Sequence, residues 1–320
     1  MADYQGVRAV ITGGAGFIGS HLADALLARG AAEVVVVDNF FLGKEANLAD
    51  ARAAHGDRLT IYREDAADAT AMAAIFDRHR PDLVFNLATK ALLYSFFNPP
   101  GACRVNLDIA LVLAELLRAG AYGKLVHLSS SEVYGTARSV PMGEDHPLQP
   151  ETTYAAGKAA ADLLLATYCR MFDADIVTVR PFNNYGPRQN DGAMAAVVPL
   201  TVQRIRQGRA PVIQGDGLQT RDFIYVGDTV RGILDVGLAG GLRGQTINLA
   251  SGIETTIREI VEQLCAAMSY AGGIDHEPAR KADVRRHVAD TSRFRELFPG
   301  FALTPLAQGL RSTVEWYLGR

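Results

Sequence analysis

A glycine-rich turn set between an apolar run and a helical pattern constrains this chain more than any other feature in it. Val7 to Ile11 is a short, β-branched run of the kind that forms a buried strand. It enters Thr12-Gly13-Gly14-Ala15-Gly16-Phe17-Ile18-Gly19, after which Ile18, Leu22, Leu26 and Leu27 recur on one helical face as far as Gly30. A second apolar run, Val34 to Val37, stops at Asp38. Strand, tight turn, helix, strand and acid, in that order, make the first unit of a parallel α/β fold.

The order also has a chemical use. Glycines let the backbone turn sharply and approach a pyrophosphate, and the N–H groups at a helix N-terminus favour negative charge. An acid about 20 residues further on can bind a ribose 2′-hydroxyl. Asp38 occupies that place and would repel a 2′-phosphate, so the expected dinucleotide is NAD and not NADP. A glycine turn alone is most often just a turn; the weight here comes from strand, helix and acid standing in register.

Strand and helix patterns keep alternating. Leu59 to Tyr62 and Leu83 to Leu87 have the pattern of strands, Ala69 to Arg80 that of a helix stopped by Pro81, Ala102 to Ala119 that of a long helix, and Leu125 to Leu128 that of another strand. Such alternation predicts a parallel sheet covered on both faces, with ligands at the carboxyl ends of its strands, where Asp65, Ala88 and Ser129 fall. Residues 136–153 are loop-like, Tyr154 to Phe172 is helical, and Ile176 to Val179 is a strand. Beyond this the alternation weakens, with helices at 194–207, 228–239, 256–268 and 304–318 and strands at 211–213, 246–249 and 274–277. The expected fold is α/β: a Rossmann-like doubly wound parallel sheet in residues 1–180, to which later segments return, and a smaller α/β C-terminal substrate lobe in 181–320.

Composition narrows the function. With 48% hydrophobic residues in 320, the chain can build a large core. A net charge of −3 with no long run of one sign gives no electrostatic footprint for nucleic acid or an anionic membrane surface. No apolar run reaches the roughly 18 residues of a membrane span, and the first residues pass almost directly into the first strand, so no signal peptide is expected. Cys103, Cys169 and Cys265 have neither metal-ligand nor disulfide spacing; they are expected to be small buried hydrophobes in a reducing cytoplasm. The histidines are scattered and no metal site is expected.

Tyr154 and Lys158 lie four apart on a predicted helix and share a face. A tyrosine ordinarily titrates at about 10. A lysine ammonium and a cationic nicotinamide would lower that value, making a base that takes a hydroxyl proton while hydride leaves the same carbon. Alone, the pair describes any exposed helix face. It gains meaning by following the nucleotide turn and Ser129-Ser130-Ser131-Glu132-Val133-Tyr134-Gly135, which leaves a strand directly. That run is either a polar turn with a serine cap or a set of hydroxyls for a substrate oxygen with a carboxylate alongside; the second is favoured for Ser130. Gly157, inside the helix, costs about 1 kcal/mol against alanine, and close approach of another group would account for it.

These segments, with Arg180-Pro181-Phe182-Asn183-Asn184-Tyr185-Gly186-Pro187, together resemble the extended short-chain dehydrogenase/reductase family of NAD-dependent nucleotide-sugar epimerases and dehydratases. The likeness continues through Gln214-Gly215-Asp216-Gly217 and Gln219 to Val226, and ends at Asp283-Val284-Arg285 and Ala289-Asp290-Thr291. The resemblance implies that Gly13, Gly16 and Gly19, with Phe17 and Ile18, hold the pyrophosphate of a tightly bound NAD that is recycled within the turnover. It puts Asp38 and Asn39 at the adenosine ribose, and Asp65 and Ala66 by the adenine. Leu87, Ala88, Thr89 and Lys90 would line the cofactor, with Asn106 and Ser129 near and Pro181 flanking the nicotinamide. Tyr154 would be the base, Lys158 would orient the nicotinamide ribose and Ser130 would share the proton network. Lys90, Ser130, Ser131, Glu132, Tyr154 and Asn183 would meet the substrate, and Val198, Gln214, Arg221, Arg280 and Asp283 its nucleotide diphosphate. An arginine's fixed fork matches phosphate oxygens. The resemblance also implies a homodimer through helices 102–119 and 154–172, which relatives pair in a four-helix bundle.

Members of the family oxidise a sugar at C4 and then diverge into 4-epimerases, 4,6-dehydratases and uronic-acid decarboxylases. Glu132 stands where dehydratases and decarboxylases keep a glutamate, but Ser131 replaces the aspartic acid of dTDP-glucose dehydratases; GDP-mannose dehydratases lack it too. The segments 219–226 and 283–285 look most like short bacterial and archaeal UDP-hexose 4-epimerases. Leu87 to Ser95 departs from all three branches, with Ala91-Leu92-Leu93 where dehydratases have a Ser-His pair. The leading expectation is C4 epimerisation, followed by dehydration and then decarboxylation. A redox-inert NAD-binding protein would have lost Tyr154 or Lys158, and both are present.

Overall fold

The computed structural model describes residues 3–192, 194–279 and 284–319. Two of the expected nucleotide-diphosphate residues, Arg280 and Asp283, lie outside the described residues. The first half alternates as its pattern predicts, with one helix, α2, that the pattern does not announce: β1 (Arg8–Thr12), α1 (Phe17–Ala28), β2 (Glu33–Val37), α2 (Ala49–His55), β3 (Leu59–Tyr62), α3 (Ala69–His79), β4 (Leu83–Asn86), α4 (Pro99–Arg118), β5 (Lys124–Leu128), α5 (Thr153–Phe172) and β6 (Ile176–Pro181). Then follow β7 (Asn183–Tyr185), α6 (Val197–Arg206), β8 (Val212–Gln214), β9 (Thr220–Tyr225), α7 (Val226–Leu238), β10 (Thr246–Leu249), β11 (Glu254–Thr256), α8 (Ile257–Ala267), β12 (Asp275–Glu277), α9 (Ser292–Leu297) and α10 (Leu306–Leu318).

The central sheet has seven strands in the order β10-β6-β5-β4-β1-β2-β3. Neighbouring strands from β3 to β6 all pair in parallel, with Thr12 level with Asn86 and Asn86 level with His127. The strand order reverses between β1 and β4, which is where an open parallel sheet leaves a crevice beyond its carboxyl edge. Gly13 turns there with φ +71°, and a Cβ on it would come within 2.8 Å of the Ala88 backbone. The turn out of β1 therefore lies directly against the end of β4.

Residues 1–133, 152–180 and 230–247 form one compact unit, and 134–151, 181–229 and 248–320 a second. The core of the first joins Val10, Val35 and Val84 of the sheet to Ile109 and Leu113 of α4 and Leu165 of α5. Gly157 sits where α5 crosses α4: a Cβ there would meet the Cys103 backbone, 2.8 Å from its Cα. The expected close approach is thus backbone against backbone. Helix α4 starts at Pro99, three residues before the expected Ala102, because proline is tolerated in a first helical turn and the Asn98 side chain caps it by accepting from Gly101 N–H at 3.0 Å.

The second unit has a three-stranded sheet, β11-β9-β7, and a two-stranded one, β12-β8. Its core joins Tyr185, Val202, Phe223, Leu264 and Val314. Strands β7, β9 and β11 carry no alternating pattern and are absent from the sequence expectation. In β9 a fully buried Asp222 interrupts the apolar side chains; it is satisfied by N–H groups of Ser251 (2.8 Å), Gly252 (2.9 Å) and Ala289 (3.2 Å).

Candidate active site

The turn after β1 leads into α1, whose N-cap is Gly16 with no side-chain cap and no acid in the first turn. The N–H groups of that end are directed at the carboxyl edge of the sheet, as an anion requires. Asp38, buried at the end of β2, accepts from Ala15 N–H (2.9 Å) and Phe40 N–H (2.8 Å), and burial pushes its carboxyl above the usual range. Asn39 donates to Asp65 at 3.3 Å, and Ala66 is in the core. Lys90 spans from the loop after β4 to the loop after β2: its Nζ lies 3.4 Å from the centre of the Phe41 ring, which itself meets Tyr94 edge-on at 5.2 Å. Phe17, Ile18 and Gly19 open α1, while Leu87 and Ala88 follow β4.

Helix α5 begins with Thr152 accepting from Ala155 N–H (3.2 Å) and with Tyr154 N–H donating to Ser95 Oγ (3.0 Å). The phenol of half-buried Tyr154 has the hydroxyls of Ser130 and Thr89 as hydrogen-bond partners. Thr89 Oγ1 in turn donates to Asn106 Oδ1 (2.7 Å), and Asn106 Nδ2 to Ala102 O (3.0 Å). Ser130 Oγ accepts from Glu132 N–H (3.2 Å), which holds the tight helical turn Ser131–Tyr134; Ser129 and Ser131 are buried. Tyr154, Ser130, Thr89, Asn106 and Glu132 thus converge from four separate segments.

The expected lowering of the Tyr154 phenol is not what the folded chain provides. Burial pushes it up to about 12, the Glu132 and Asp162 carboxylates add to the rise, and the hydrogen bond from Ser130 opposes it. Lys158 is 2% exposed, donates to Leu128 O at 2.7 Å, and is itself brought down to about 8 by burial. Desolvation penalises both charged forms, and it outweighs the helical proximity of the pair.

Ser95, Asp162, Arg180 and His127 surround these groups without having been singled out in the sequence as site residues. A signal for Asp162 was present: it follows Lys158 at the same four-residue spacing by which Lys158 follows Tyr154. Pro181 is buried at the end of β6. In the second unit Asn183 opens β7 and pairs with Phe223, while Arg221 Nη1 donates to Thr220 O (2.8 Å) and Val284 O (2.6 Å). Gln214 ends β8 and its carbonyl accepts from Gln219 (2.9 Å). Val198 is packed in that unit's core beside Tyr185 and Val202. Among the described residues no three His, Cys, Asp or Glu side chains cluster as a metal would require, and no helix is long and apolar enough to cross a membrane.

A doubly wound parallel sheet with an uncapped glycine turn at its switch point has the architecture of a dinucleotide-binding α/β protein. Residues 10–300 match the model of the GDP-mannose 4,6 dehydratase family, and the chain belongs to that family of nucleotide-sugar epimerases and dehydratases. It is 36% identical over 314 residues to a UDP-glucose 4-epimerase of Mycolicibacterium smegmatis, covering 97% of this chain and 98% of the relative. Among solved structures it is similar to the UDP-glucose 4-epimerase of Thermotoga maritima with UDP-glucose, at 32% identity and TM-score 0.90, covering 98% of this chain and 99% of that one. A dTDP-glucose 4,6-dehydratase of Streptomyces venezuelae with NAD bound gives the same identity and TM-score, covering 98% and 97%.

Proposed function

We propose that this chain binds NAD at the turn between β1 and α1 and modifies a nucleotide-activated sugar through transient oxidation at C4, with C4 epimerisation as the net reaction. The observation that carries this reading is the Tyr154 phenol, held between the Ser130 and Thr89 hydroxyls one helical turn before Lys158. The residues fit the cofactor: the uncapped N-terminus of α1 suits a pyrophosphate, and Asp38 stands at the end of β2 for a ribose. Bound NAD supplies a hydride acceptor and a cationic ring that opposes the rise of the phenol. Tyr154 takes the C4 hydroxyl proton and gives it back, Ser130 holds the substrate oxygen beside it, and Lys158 adds positive charge from within α5. Asn183, Gln214 and Arg221, with Arg280 and Asp283, supply the polar and cationic groups for the sugar's nucleotide diphosphate.

Two observations bear on the step after oxidation. Ser131 is buried and brings no acid for a leaving hydroxyl at C6, which supports epimerisation. Glu132 lies close enough for its charge to raise Tyr154, which keeps 4,6-dehydration as the second reading, with Glu132 removing the C5 proton. Incubation with a panel of nucleotide sugars, with products followed by NMR, decides between them. Epimerisation predicts an inverted C4 and no net NADH; a 4-keto-6-deoxy product selects dehydration, and release of carbon dioxide selects decarboxylation.

We further propose a homodimer through α4 and α5, supported by exposed Leu111 on α4 and Leu163, Met171 and Phe172 on α5. Sedimentation of the purified protein tests it, and a monomer at micromolar concentration refutes it. The three free cysteines suit a reducing cytoplasm.

A further inference from the structure

Beneath Lys158 a polar chain crosses the interior of the sheet. The N–H of Ala88 points at Thr12 Oγ1 (3.4 Å), and Thr12 Oγ1 donates to Asn86 Oδ1 (2.7 Å). The other end of the amide, Nδ2, meets His127 Nδ1 at 2.9 Å. With the Asn86 oxygen turned to Thr12, Nδ2 donates and Nδ1 accepts, so the proton of His127 sits on Nε2. Burial and the cations Lys158 and Arg180 keep that ring neutral. Nε2 faces Asp162 Oδ1 at 3.7 Å, beyond hydrogen-bond distance, and the Ser129 hydroxyl is a further hydrogen-bond partner of this carboxylate. The other carboxylate oxygen of Asp162 accepts from Arg180 Nε and Nη2, both at 3.0 Å. Thr12, Asn86, His127, Asp162 and Arg180 are all buried, and a carboxylate at such depth is costly unless it is paired.

Asp162 lies one helical turn beyond Lys158 on the buried face of α5. Lys158 spends one of its three donors on Leu128 O, the carbonyl next to His127. Without Asp162 the ammonium would share a dry interior with a like charge, Arg180. We propose that Asp162 is the counter-charge that holds Lys158 as an ammonium, and that Arg180 fixes this carboxylate in place, with the neutral ring of His127, itself fixed by the Thr12–Asn86 chain, packed beside it. Asp162 is then a positioning residue that acts through Lys158, and its importance rests on the reading of Lys158 given above. The charged and titratable groups facing this pair are Tyr154 on α5, His127 on β5 and Arg180 on β6, while Glu132 in the turn after β5 faces Tyr154. On α4, which packs against α5, Arg104 is engaged with Asp108, and Glu115 with Arg118 and Tyr168.

The chain has five lysines, so protein labelled with carbon-13 at lysine Cε gives a small spectrum in which Lys158 is assigned by its loss in Lys158→Met. In the native chain Lys158 is expected to titrate with a midpoint at about 8. In Asp162→Asn the midpoint is expected to fall by about one unit or more. A folded Asp162→Asn protein whose Lys158 midpoint stays in place overturns the proposal. Stranding Arg180 can prevent folding, and Asp162→Asn/Arg180→Gln then removes both charges. The midpoint of the double variant is expected to lie below that of Arg180→Gln, in which only the cation is lost, and a midpoint equal to or above that of Arg180→Gln overturns the proposal. The titration uses neither NAD nor sugar, so its failure is separate from failure of the epimerase reading.

Discussion

The two compact units treat charge differently. In the first, Asp162 pairs with Arg180 in the interior, with His127 beside it and Lys158 buried one helical turn away. In the second, the buried carboxylate Asp222 is met by backbone N–H groups and a serine hydroxyl, and two arginine–carboxylate pairs lie exposed. There Arg285 grips Asp216 at 2.9 and 3.1 Å, and Arg286 grips Glu254 at 2.7 and 2.8 Å. Arginine hydrogen bonds hold the Asp216 carboxyl below its usual range and bring Glu254 to about 2. Equal geometry has unequal consequences. Water screens an exposed pair until it contributes little, whereas a buried pair strands a charge when one partner goes. The interior charges suit the control of proton positions. The exposed ones suit a surface that can rearrange.

Substitutions can break or sharpen this contrast. Tyr154→Phe should lower turnover by about 10²–10⁴-fold with the fold intact by circular dichroism; unchanged turnover would move the chemistry out of the first unit. Arg180→Met leaves Asp162 without its guanidinium and should cost about 3–5 kcal/mol in urea denaturation. Gly157→Ala pushes a Cβ into the Cys103 backbone and should cost about 1–3 kcal/mol, read from the same denaturation curve. Lys158 supplies a pH signature. Between its folded value of about 8 and an ordinary lysine's 10.5, the unfolded chain binds a proton that the folded chain has released. Stability should therefore rise with pH from about 8 to 10, above which the raised Tyr154 begins to work the other way. Lys158→Met should lose that rise in thermal melts. Arg285→Ala, at the surface, should leave the denaturation midpoint unchanged; a clear drop would erase the contrast between the units.

The first unit was legible because its elements are long and its patterns regular. Strands such as Val34 to Val37 are continuous apolar runs, and the helices between them keep one apolar face. The second unit was less so, because β7 and β11 are three residues each and β9 buries an aspartate at its centre. Tyr154, Lys158 and Ser130 could be proposed from the sequence because their meaning lies in local spacing and in the resemblance. Thr12, Asn86 and His127 could not. They stand 74 and 41 residues apart along the chain and become neighbours only when β1, β4 and β5 lie side by side. The rise of the Tyr154 phenol was equally hidden, since desolvation depends on how deep the side chain sits.

The contact at Gly157 has a mechanical consequence. Where two helices touch through side chains, rotamers act as springs and absorb a push. Here α5 meets α4 backbone to backbone at Cys103, between Tyr154 and the residue that follows Gly157, Lys158. A displacement of α4 at that point bears directly on the turn carrying both groups, because a close-packed interior transmits strain. The phenol of Tyr154 is mounted on that contact.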